Sequence, residues 1–368
     1  MAPGRRMLLL APELFSSRGG IPRVLRAYLL ALSKLAVETG GSVRLLALND
    51  PSLDAAELRR YTIGDLEQRC ACNRSKHRFF REALRLGRGC DTLVCGHVAQ
   101  LPVAWLVRRL NPRLRYYAVA HGLEVWRPFT PVEKIALRGA ETIFCISEFT
   151  RRELLAHCPL REGRAVVLHN ALDPHFEIGP GRPLRDCPPV ILTVTRLSYN
   201  DRYKGVEHLI LAMPDVAAAE PSARLRILGT GDDVPRLQGL ARGRGLLGGT
   251  VEFAGAVDDK RLVEELGSCR LFALPSRKEG FGLVFLEAMA HGRPCLGARA
   301  GGIPEVISAE TGLLVEFGDV PGLARACLAG LRRDWNQEAI LERARKFSFE
   351  PFKRRLGELL VNQVSRMP

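Results

Sequence analysis

The sequence predicts an α/β protein of two doubly wound, Rossmann-like domains, each a parallel sheet covered by helices. The chain has 368 residues, more than the roughly 250–300 residues at which a single hydrophobic core stops growing. Short β-branched or Leu-rich runs alternate with longer amphipathic stretches along the whole chain. This alternation is typical of βα units that form parallel sheets.

Apolar runs place the strands. The first half contains six predicted strands, at Met7–Ala11, Val43–Leu48, Thr92–Cys95, Tyr116–Ala120, Thr142–Ile146 and Ala165–Leu168. The second half contains six more, at Val190–Val194, Leu225–Leu228, Val251–Ala254, Leu271–Leu274, Pro294–Gly297 and Leu313–Glu316. Helices are predicted between them, for example Val206–Ala219 and Asp259–Cys269. Each count suits a doubly wound sheet, which binds ligands at the carboxyl ends of its strands.

A segment rich in proline and glycine, residues 173–189, separates the two series and predicts a domain linker. We therefore expect a first domain over residues 1–180 and a second over residues 188–348. The segment Phe349–Val364 is amphipathic, and a helix over residues 349–368 is expected to pack back on the first domain.

The composition, 46% hydrophobic and 26% charged, is that of a globular protein. No stretch approaches the roughly 18 apolar residues of a membrane helix. The apolar run at the amino terminus is broken by Glu13, so we interpret it as the first strand rather than a signal peptide. Ten cysteines at irregular positions, without paired CxxC units, predict buried thiols in a reducing cytoplasm and no metal site.

The formal net charge is +14, and residues 1–187 carry 29 Lys or Arg against 18 Asp or Glu. The density peaks between Arg59 and Arg88 around Phe79 and Phe80, and we interpret residues 69–88 as a basic helix. Such a helix suits the surface of an anionic membrane, and it suits equally a solvated basic face. Nucleic-acid binding is not expected, because no recognised module accompanies the charge.

The stretch SRKEGFGLVFLEAMAHGRP holds two glutamates, Glu279 and Glu287, separated by seven residues. Between them a turn opens a helix, formed by Gly280, Phe281, Gly282 and Leu283. A helix start presents free N–H groups to a phosphate, while Glu279 can bond sugar hydroxyls and Glu287 ribose hydroxyls. The alternative is a glycine loop followed by a surface Glu, but Glu287 lies among apolar residues, where an unpaired carboxylate is costly.

This glutamate pair resembles the signature of glycosyltransferase family 4 and related retaining enzymes of the GT-B fold (glycosyl transferases group 1). In similar enzymes an Arg and a Lys clamp the donor diphosphate. The segment LTVTRLSYNDRYKG places Arg196 just after a strand and Lys204 eight residues later. Arg offers a planar fork and Lys a point charge, both suited to a pyrophosphate leaving group. Outside this context the two would be read as a solvated pair.

In the first half, His121 directly follows the predicted strand YYAVA. The resemblance makes His121 the active-site histidine that contacts the donor sugar. Glu124 stands where similar enzymes often have an acidic residue. Gly19 and Gly20 lie between the first strand and the first helix, and they match the glycine-rich loop that such enzymes fold over the donor or acceptor. A lone histidine after a strand is otherwise more often structural.

Two further segments of the second half match the family. LGTGDD, with Gly231, lacks the third glycine of a dinucleotide fingerprint, and in similar enzymes this loop lies beside the donor. VEFAGAVDD resembles the segment that receives the nucleobase, with Val257 as the contact. CISEFT at Ser147 and LHNALD at Asn170 extend the match over most of the chain.

The resemblance implies a retaining, metal-independent glycosyltransferase that uses a nucleotide-diphosphate sugar and needs no other cofactor. The acceptor would be a glycan or a lipid-linked molecule, as in surface polysaccharide or glycolipid biosynthesis. The donor is expected between the two domains, with its sugar between His121 and Glu279. Two alternatives stay open: a nucleotide-sugar epimerase of the same architecture, and a catalytically silent protein that binds sugar nucleotides or anions.

Overall fold

A computed structural model describes residues 4–17 and 19–361. They form two compact units: one runs up to Pro174 and resumes at Ser348, and the other spans His175–Phe347. The chain therefore leaves the first unit once and returns to it at its carboxyl end.

The first unit holds seven described strands: β1 Arg6–Ala11, β2 Ser42–Ala47, β3 Gln68–Ala71, β4 Thr92–Cys95, β5 Arg115–Ala120, β6 Thr142–Cys145 and β7 Ala165–Val167. Its helices before the crossing are α1 Gly20–Thr39, α2 Ala55–Arg60, α3 Lys76–Gly87, α4 Leu101–Leu110, α5 Pro131–Gly139 and α6 Glu148–His157. The strands pair in parallel in the order β3-β2-β1-β4-β5-β6-β7. The order reverses between β1 and β4.

The second unit holds six described strands: β8 Val190–Val194, β9 Arg224–Leu228, β10 Val251–Gly255, β11 Leu271–Leu274, β12 Cys295–Ala298 and β13 Gly312–Val315. Its helices are α7 Val206–Ala219, α8 Val234–Arg242, α9 Asp259–Ser268, α10 Leu283–Met289, α11 Ile303–Val306, α12 Val320–Arg332 and α13 Gln337–Arg345. The parallel order is β10-β9-β8-β11-β12-β13, which reverses between β8 and β11. The prediction of two doubly wound α/β sheets is confirmed.

The interpretation of residues 69–88 as one basic helix is wrong. Residues 68–71 form β3, the edge strand beside β2, and α3 begins only at Lys76. Between them Asn73 and Arg74 both have positive φ, 47° and 63°, which no helix accepts. The sequence QRCA hid the strand, because an edge strand keeps its polar side chains in solvent and shows no apolar run.

In the first unit, successive residues of a strand face opposite sides of the sheet. On β5, Tyr116 belongs to the core that also holds Phe79 of α3, Ala104 of α4 and Leu137 of α5. Its neighbour Tyr117 points the other way and stacks on Phe144, with ring centroids 5.6 Å apart. Helices α3, α4 and α5 therefore cover one face of this sheet together.

The opposite face is covered by α1 and by the last described helix, α14 Phe349–Val361. Tyr28 of α1 packs edge-on against Phe352, with ring centroids 5.0 Å apart. Lys34 Nζ lies 2.8 Å from Glu350 Oε1, so an ion pair joins the exposed sides of the two helices. The helix thus packs on the first unit; the end of the predicted segment, residues 362–368, lies outside the described residues.

The predicted linker is held against the second unit as far as Cys187. Backbone N–H groups of Gly179 and Arg182 donate to the carbonyls of Ala290 and Gly267, both at 3.0 Å. The side chain of Arg293 is fully buried, and its guanidinium binds the linker. Its three nitrogens donate to four acceptors: His291 O, Cys269 O, Arg182 O and Cys187 Sγ. Proline and glycine here mark irregular backbone, but buried hydrogen bonds fix that backbone in place.

We expect Arg293→Met to destabilise the second unit by about 3–5 kcal/mol, because one linker carbonyl, two carbonyls of the second unit and a linker thiol would lose a buried charged donor. Urea unfolding followed by intrinsic fluorescence measures this change. The matched control is Arg299→Met, since the Arg299 side chain forms an exposed pair with Glu316 at 3.2 Å, and such pairs contribute about 0–1 kcal/mol. Equal midpoints for the two variants would show that Arg293 does not anchor the linker.

Candidate functional site

The strand order of the second unit brings two predicted motifs to neighbouring strand ends. Arg196 follows β8 and Glu279 follows β11, and these two strands pair directly. The order of the sheet reverses between them, and in doubly wound sheets ligands bind at such a reversal, outside the carboxyl ends of the strands. This edge is therefore the candidate site of the second unit.

Lys204 and Glu279 meet there, although 74 residues separate them in the chain. Lys204 Nζ lies 2.6 Å from Glu279 Oε2, and both side chains are about four-fifths buried. Gly205 makes this possible: its φ is +74°, and a Cβ at this position would overlap the carbonyl oxygen of Pro275. A further backbone bond of 2.8 Å, from Arg277 N to Tyr203 O, joins the two loops.

Arg196 is anchored at one atom and open at the others. Its Nε donates to Asp201 Oδ2 at 2.5 Å, whereas its side chain is 74% exposed. Within the described part of the chain, no partner is recorded for its two Nη atoms. The outer edge of the guanidinium can thus bind a ligand, since the planar fork of Arg is suited to phosphate oxygens.

Asp201 itself is buried, and sequence reasoning missed it. Tyr203 Oη donates to its second oxygen at 2.9 Å. Burial by itself would raise the pKa of Asp201, but the bonds from Arg196 and Tyr203 outweigh it and lower the pKa below the ordinary value. The bond to Asp201 raises the pKa of Arg196 in turn. The signal in the sequence was an acidic residue inside the basic segment RLSYNDRYKG.

Gly231 lies against this same loop. The chain after β9 runs so close to the residues after β8 that a Cβ at Gly229 would overlap Thr195 O, and one at Gly231 would overlap Leu197 O. Backbone bonds of 2.9 Å join the loops, from Leu197 N to Thr230 O and from Asp233 N to Leu197 O. Gly231 therefore supports the loop that carries Arg196.

The glycine turn after Glu279 has the predicted form. Gly282 has a φ of +96° and precedes α10, which begins at Leu283. Phe281 is buried and packs edge-on against Phe347, with ring centroids 5.5 Å apart, so its side chain belongs to the core. Glu287 is 5% exposed within α10. Gly280 takes part in a contact with a second glycine pair.

That pair, Gly301 and Gly302, was missed in the sequence. A Cβ at Gly301 would overlap the carbonyl oxygen of Glu279, and one at Gly302 would overlap that of Gly280. Gly302 N also donates to Glu279 O at 2.8 Å. The segment after β12 thus supports the turn that carries Glu279. Val257 lies apart from these contacts, half-buried just after β10.

In the first unit, His121 follows β5 and is buried. Its Nε2 lies 2.8 Å from Gly96 O, so Nε2 carries the proton and Nδ1 is left as an acceptor. The backbone N–H of His121 donates to Glu124, which explains the acidic residue at that position. Burial lowers the pKa of His121, and the Glu124 carboxylate only partly opposes this effect. The imidazole is therefore neutral at pH 7.

A second histidine stands beside it and was missed in the sequence. His97 follows β4, and its ring stacks on that of His121 with centroids 6.1 Å apart. Its Nδ1 accepts from Ala99 N at 3.1 Å, which directs the proton of the neutral ring to Nε2. Burial lowers the pKa of His97 as well. The carboxyl edge of this sheet thus carries two neutral imidazoles.

Gly19 caps α1, and Gly20 is its first residue; both are exposed. The preceding loop is fixed by Asp50, a fully buried carboxylate that accepts from the backbone N–H groups of Leu14, Phe15 and Ser16 at 2.8–2.9 Å. The three bonds fix the backbone of residues 14–16, shortly before the two glycines.

Two general features of the described residues complete the picture. No group of three or more His, Cys, Asp or Glu side chains in residues 4–17 and 19–361 could hold a metal ion. None of the helices described there combines the length and apolar character needed to cross a membrane.

Known proteins resemble both units. Residues 19–176 match the family model described as Glycosyltransferase Family 4, and residues 188–333 match Glycosyl transferases group 1. A GDP-mannose-dependent monoacylated alpha-(1-6)-phosphatidylinositol monomannoside mannosyltransferase of Corynebacterium glutamicum is 38% identical over 56% of this chain. An N-acetyl-alpha-D-glucosaminyl L-malate synthase of Bacillus anthracis is 36% identical over 44% of the chain. These matches span 58% and 41% of the two relatives.

Among solved structures, HepE of Anabaena in complex with UDP superposes with a TM-score of 0.77, covering 97% of this chain and all of that one at 18% identity. This likeness concerns the fold. With matching family models on both units and the GT-B fold, the chain belongs to the group 1 glycosyltransferases.

Proposed function

We propose that the protein is a retaining glycosyltransferase that moves a sugar from a nucleotide-diphosphate donor to a glycan or lipid-linked acceptor, in surface polysaccharide or glycolipid biosynthesis. The 2.6 Å contact of Lys204 with Glu279, beside Arg196 at the reversal of the second sheet, carries this proposal. It joins groups for a diphosphate to a carboxylate for sugar hydroxyls. The name of the C. glutamicum relative, which states GDP-mannose dependence, and the UDP bound to HepE support such a donor.

In this proposal the leaving diphosphate is held by the free edge of Arg196, by the Lys204 ammonium and by the backbone N–H groups of Gly280–Leu283. Positive groups fixed in advance stabilise negative charge as it forms, so the departure of the diphosphate needs no metal ion. Glu287 binds the ribose hydroxyls, and Gly231 and Val257 lie along the nucleoside.

The transfer breaks the bond between the sugar C1 and the diphosphate oxygen and forms a bond from C1 to the acceptor oxygen on the same face. The acceptor proton passes to the departing diphosphate, and the anomeric configuration is retained. In the first unit His121 offers Nδ1 as an acceptor to a sugar hydroxyl, and in the second unit Glu279 offers its carboxylate to sugar hydroxyls. Gly19 and Gly20 allow the loop of the first unit to approach the donor or acceptor closely.

We place the activity in the cytoplasm, with peripheral contact between the basic first unit and an anionic membrane. A panel of UDP, GDP and ADP sugars tested by thermal shift identifies the donor, because a ligand that binds only the folded state raises its melting temperature. Product analysis with an acceptor then decides the reaction. Isomerisation of the donor without an acceptor would indicate an epimerase, and binding without turnover a silent binding protein.

We expect Lys204→Met to lower kcat by about 10²–10³-fold, the usual effect of removing one fixed group from a developing charge. The circular dichroism spectrum should stay unchanged. Lys260→Met, an exposed lysine of α9, is the matched control and should keep full turnover. A Lys204→Met enzyme with the wild-type rate would refute the assignment of the diphosphate site.

Asp201→Asn tests the anchoring of Arg196. The amide keeps the shape of the side chain and can still accept from Tyr203, but it lacks the charge that holds Arg196 Nε. We expect a donor KM about tenfold higher with a smaller change in kcat. The substitution should weaken the binding of nucleoside diphosphate more than it weakens the binding of the nucleoside alone. Tyr203→Phe, which removes only the neutral bond, should change KM less. Unchanged diphosphate binding in Asp201→Asn would contradict the anchoring role.

A pH dependence follows from the neutral histidines. The folded-state pKa values of His97 and His121 lie below the ordinary value of about 6.5. Below pH 6.5, roughly the ordinary histidine pKa, the unfolded chain binds protons that the folded chain does not, so the free energy of unfolding decreases as the pH falls. Above that pH these histidines do not change the stability. In the variant His97→Asn with His121→Asn, the melting temperature should depend less on pH between about 6.5 and 5. Parallel curves for variant and wild type would contradict this.

A further inference from the structure

The turn of residues 279–283, which we call the donor turn, is supported at two points within the second unit. One point is the ring of Phe281, which is 1% exposed. The other is the main chain of Glu279 and Gly280, which lies against Gly301 and Gly302. The conformation of the donor turn therefore depends on what holds that ring and that glycine pair.

Phe347 holds the ring. It lies two residues after α13 and is the last residue of the second unit before the chain returns to the first. Phe347 is 8% exposed, and its ring meets that of Phe281 at an interplanar angle of 71°, with centroids 5.5 Å apart. Because aromatic pairs favour such an edge-on geometry, Phe347 limits the positions open to Phe281 and to the glycines beside it. The donor turn is thus packed against the point where the chain leaves the second unit.

Arg343 of α13 holds the glycine pair through α11, the short helix that directly follows Gly302. Its Nε donates to Val306 O at 3.0 Å, and its Nη2 donates to Glu305 O. Both carbonyls lie at the end of α11. The same guanidinium lies 5.0 Å from the ring centroid of Phe347. One arginine therefore joins the two points of support.

The charge of Arg343 is not needed for packing alone. Its side chain is half-buried, and burial lowers its pKa, an effect that nearby Glu310 only partly opposes. Removing a cation from water is costly unless other groups replace the water. A side chain that only filled space here could be apolar. The arginine is therefore explained by its bonds to the carbonyls of α11 and by its contact with the ring of Phe347.

We propose that Phe347 and Arg343 are positioning residues that hold the donor turn in one conformation. Neither side chain binds the diphosphate itself. The inference rests on the proposed function for its consequence, because there the main-chain N–H groups of the donor turn bind the leaving diphosphate. Donors fixed in advance bind such charge without a cost of reordering, so a loosened donor turn should bind it more weakly.

The first measurement is amide hydrogen exchange of the full chain without ligand. The N–H groups of Phe285 and Gly302 report the donor turn, because they donate to its carbonyls at 3.0 and 2.8 Å. We expect Phe347→Leu to speed both exchange rates at least about fivefold, since the turn opens more easily without the aromatic pair. Arg343→Met should speed the exchange of Gly302. Phe347→Tyr, which keeps the ring, should exchange like the wild type.

The matched controls are Trp335→Leu and Arg333→Met. Trp335 is 6% exposed, and the Arg333 guanidinium lies 4.1 Å from its ring centroid, so this pair has the same chemistry as Phe347 and Arg343. Trp335 Nε1 donates to Gly330 O in α12. The controls should lower the melting temperature by a comparable amount without faster exchange at the donor turn. Equal acceleration in both sets would reduce the effect to general destabilisation and overturn the proposal.

Calorimetric titration then measures the consequence for the ligand. UDP, GDP and ADP are titrated, and the matching nucleosides serve as ligands without a diphosphate. In Phe347→Leu the dissociation constant of the nucleoside diphosphate should rise about fivefold, while that of the nucleoside stays within about twofold of the wild type. Trp335→Leu should bind both ligands like the wild type. Unchanged diphosphate binding in Phe347→Leu, or an equal loss for the nucleoside, would overturn the positioning role.

Failure of the positioning and failure of the transferase are distinguishable. Hydrogen exchange reads the donor turn without any ligand, so it decides on Phe347 and Arg343 even in a chain that binds none of the three diphosphates. That result would reject the proposed function and, with faster exchange in Phe347→Leu, leave the positioning standing. Diphosphate binding and transfer by the wild type, with unchanged exchange in both variants, would reject the positioning alone.

Discussion

The site of the second unit depends on the pairing of β8 with β11. Because parallel strands cannot be joined by a short turn, each strand of this sheet is followed by a helix. The chain places β9 and β10 on one side of β8 before β11 pairs with the other side of β8. The ends of β8 and β11 then become neighbours, and Lys204 meets Glu279 at 2.6 Å. Arg196 and Lys204 lie on the single loop between β8 and α7, where their like charges would repel each other without carboxylates beside them. Glu279 and the buried Asp201 supply that compensating charge.

Glycines let these loops approach. Gly205, Gly229 and Gly301 each lie where a Cβ would overlap a backbone carbonyl oxygen of the neighbouring loop. The loops therefore touch through their main chains, with hydrogen bonds between them, and their charged side chains are held by a rigid backbone. Such fixed groups are what stabilisation of a leaving diphosphate requires, because they need not reorganise when charge forms.

The two units share a strand order but differ in the chemistry of their strand ends. The second sheet presents cations and a carboxylate, which suit a diphosphate and sugar hydroxyls. The first sheet presents the half-buried His97 and the buried His121, whose pKa values are lowered by loss of solvent, and neutral rings suit hydroxyl groups. The same topology thus supports two kinds of binding groups. Most of the net positive charge of the first unit lies elsewhere, on its helices α1–α6 and α14.

Twelve strands could be predicted from the sequence, because each buried parallel strand is a run of apolar residues; every predicted strand end lies within one position of the observed end. The edge strand β3 could not, since its polar side chains stay in solvent. The glutamate motif of Glu279 and Glu287 was visible because its residues are close in the chain. Asp201 and His97 were missed, since their partners are identified by distance in space and not by spacing in the sequence.

By itself, then, the sequence determined the alternation of strands and helices, the family, and the positions of the residues that could bind a diphosphate. Only the tertiary structure decided which of them meet: that Lys204 contacts Glu279, that Asp201 anchors Arg196, and that the predicted linker is bound by Arg293. The reason is physical. Apolar periodicity is a local property of the chain, whereas an ion pair, a buried hydrogen bond and a shifted pKa depend on groups that only the folded backbone brings within a few ångströms.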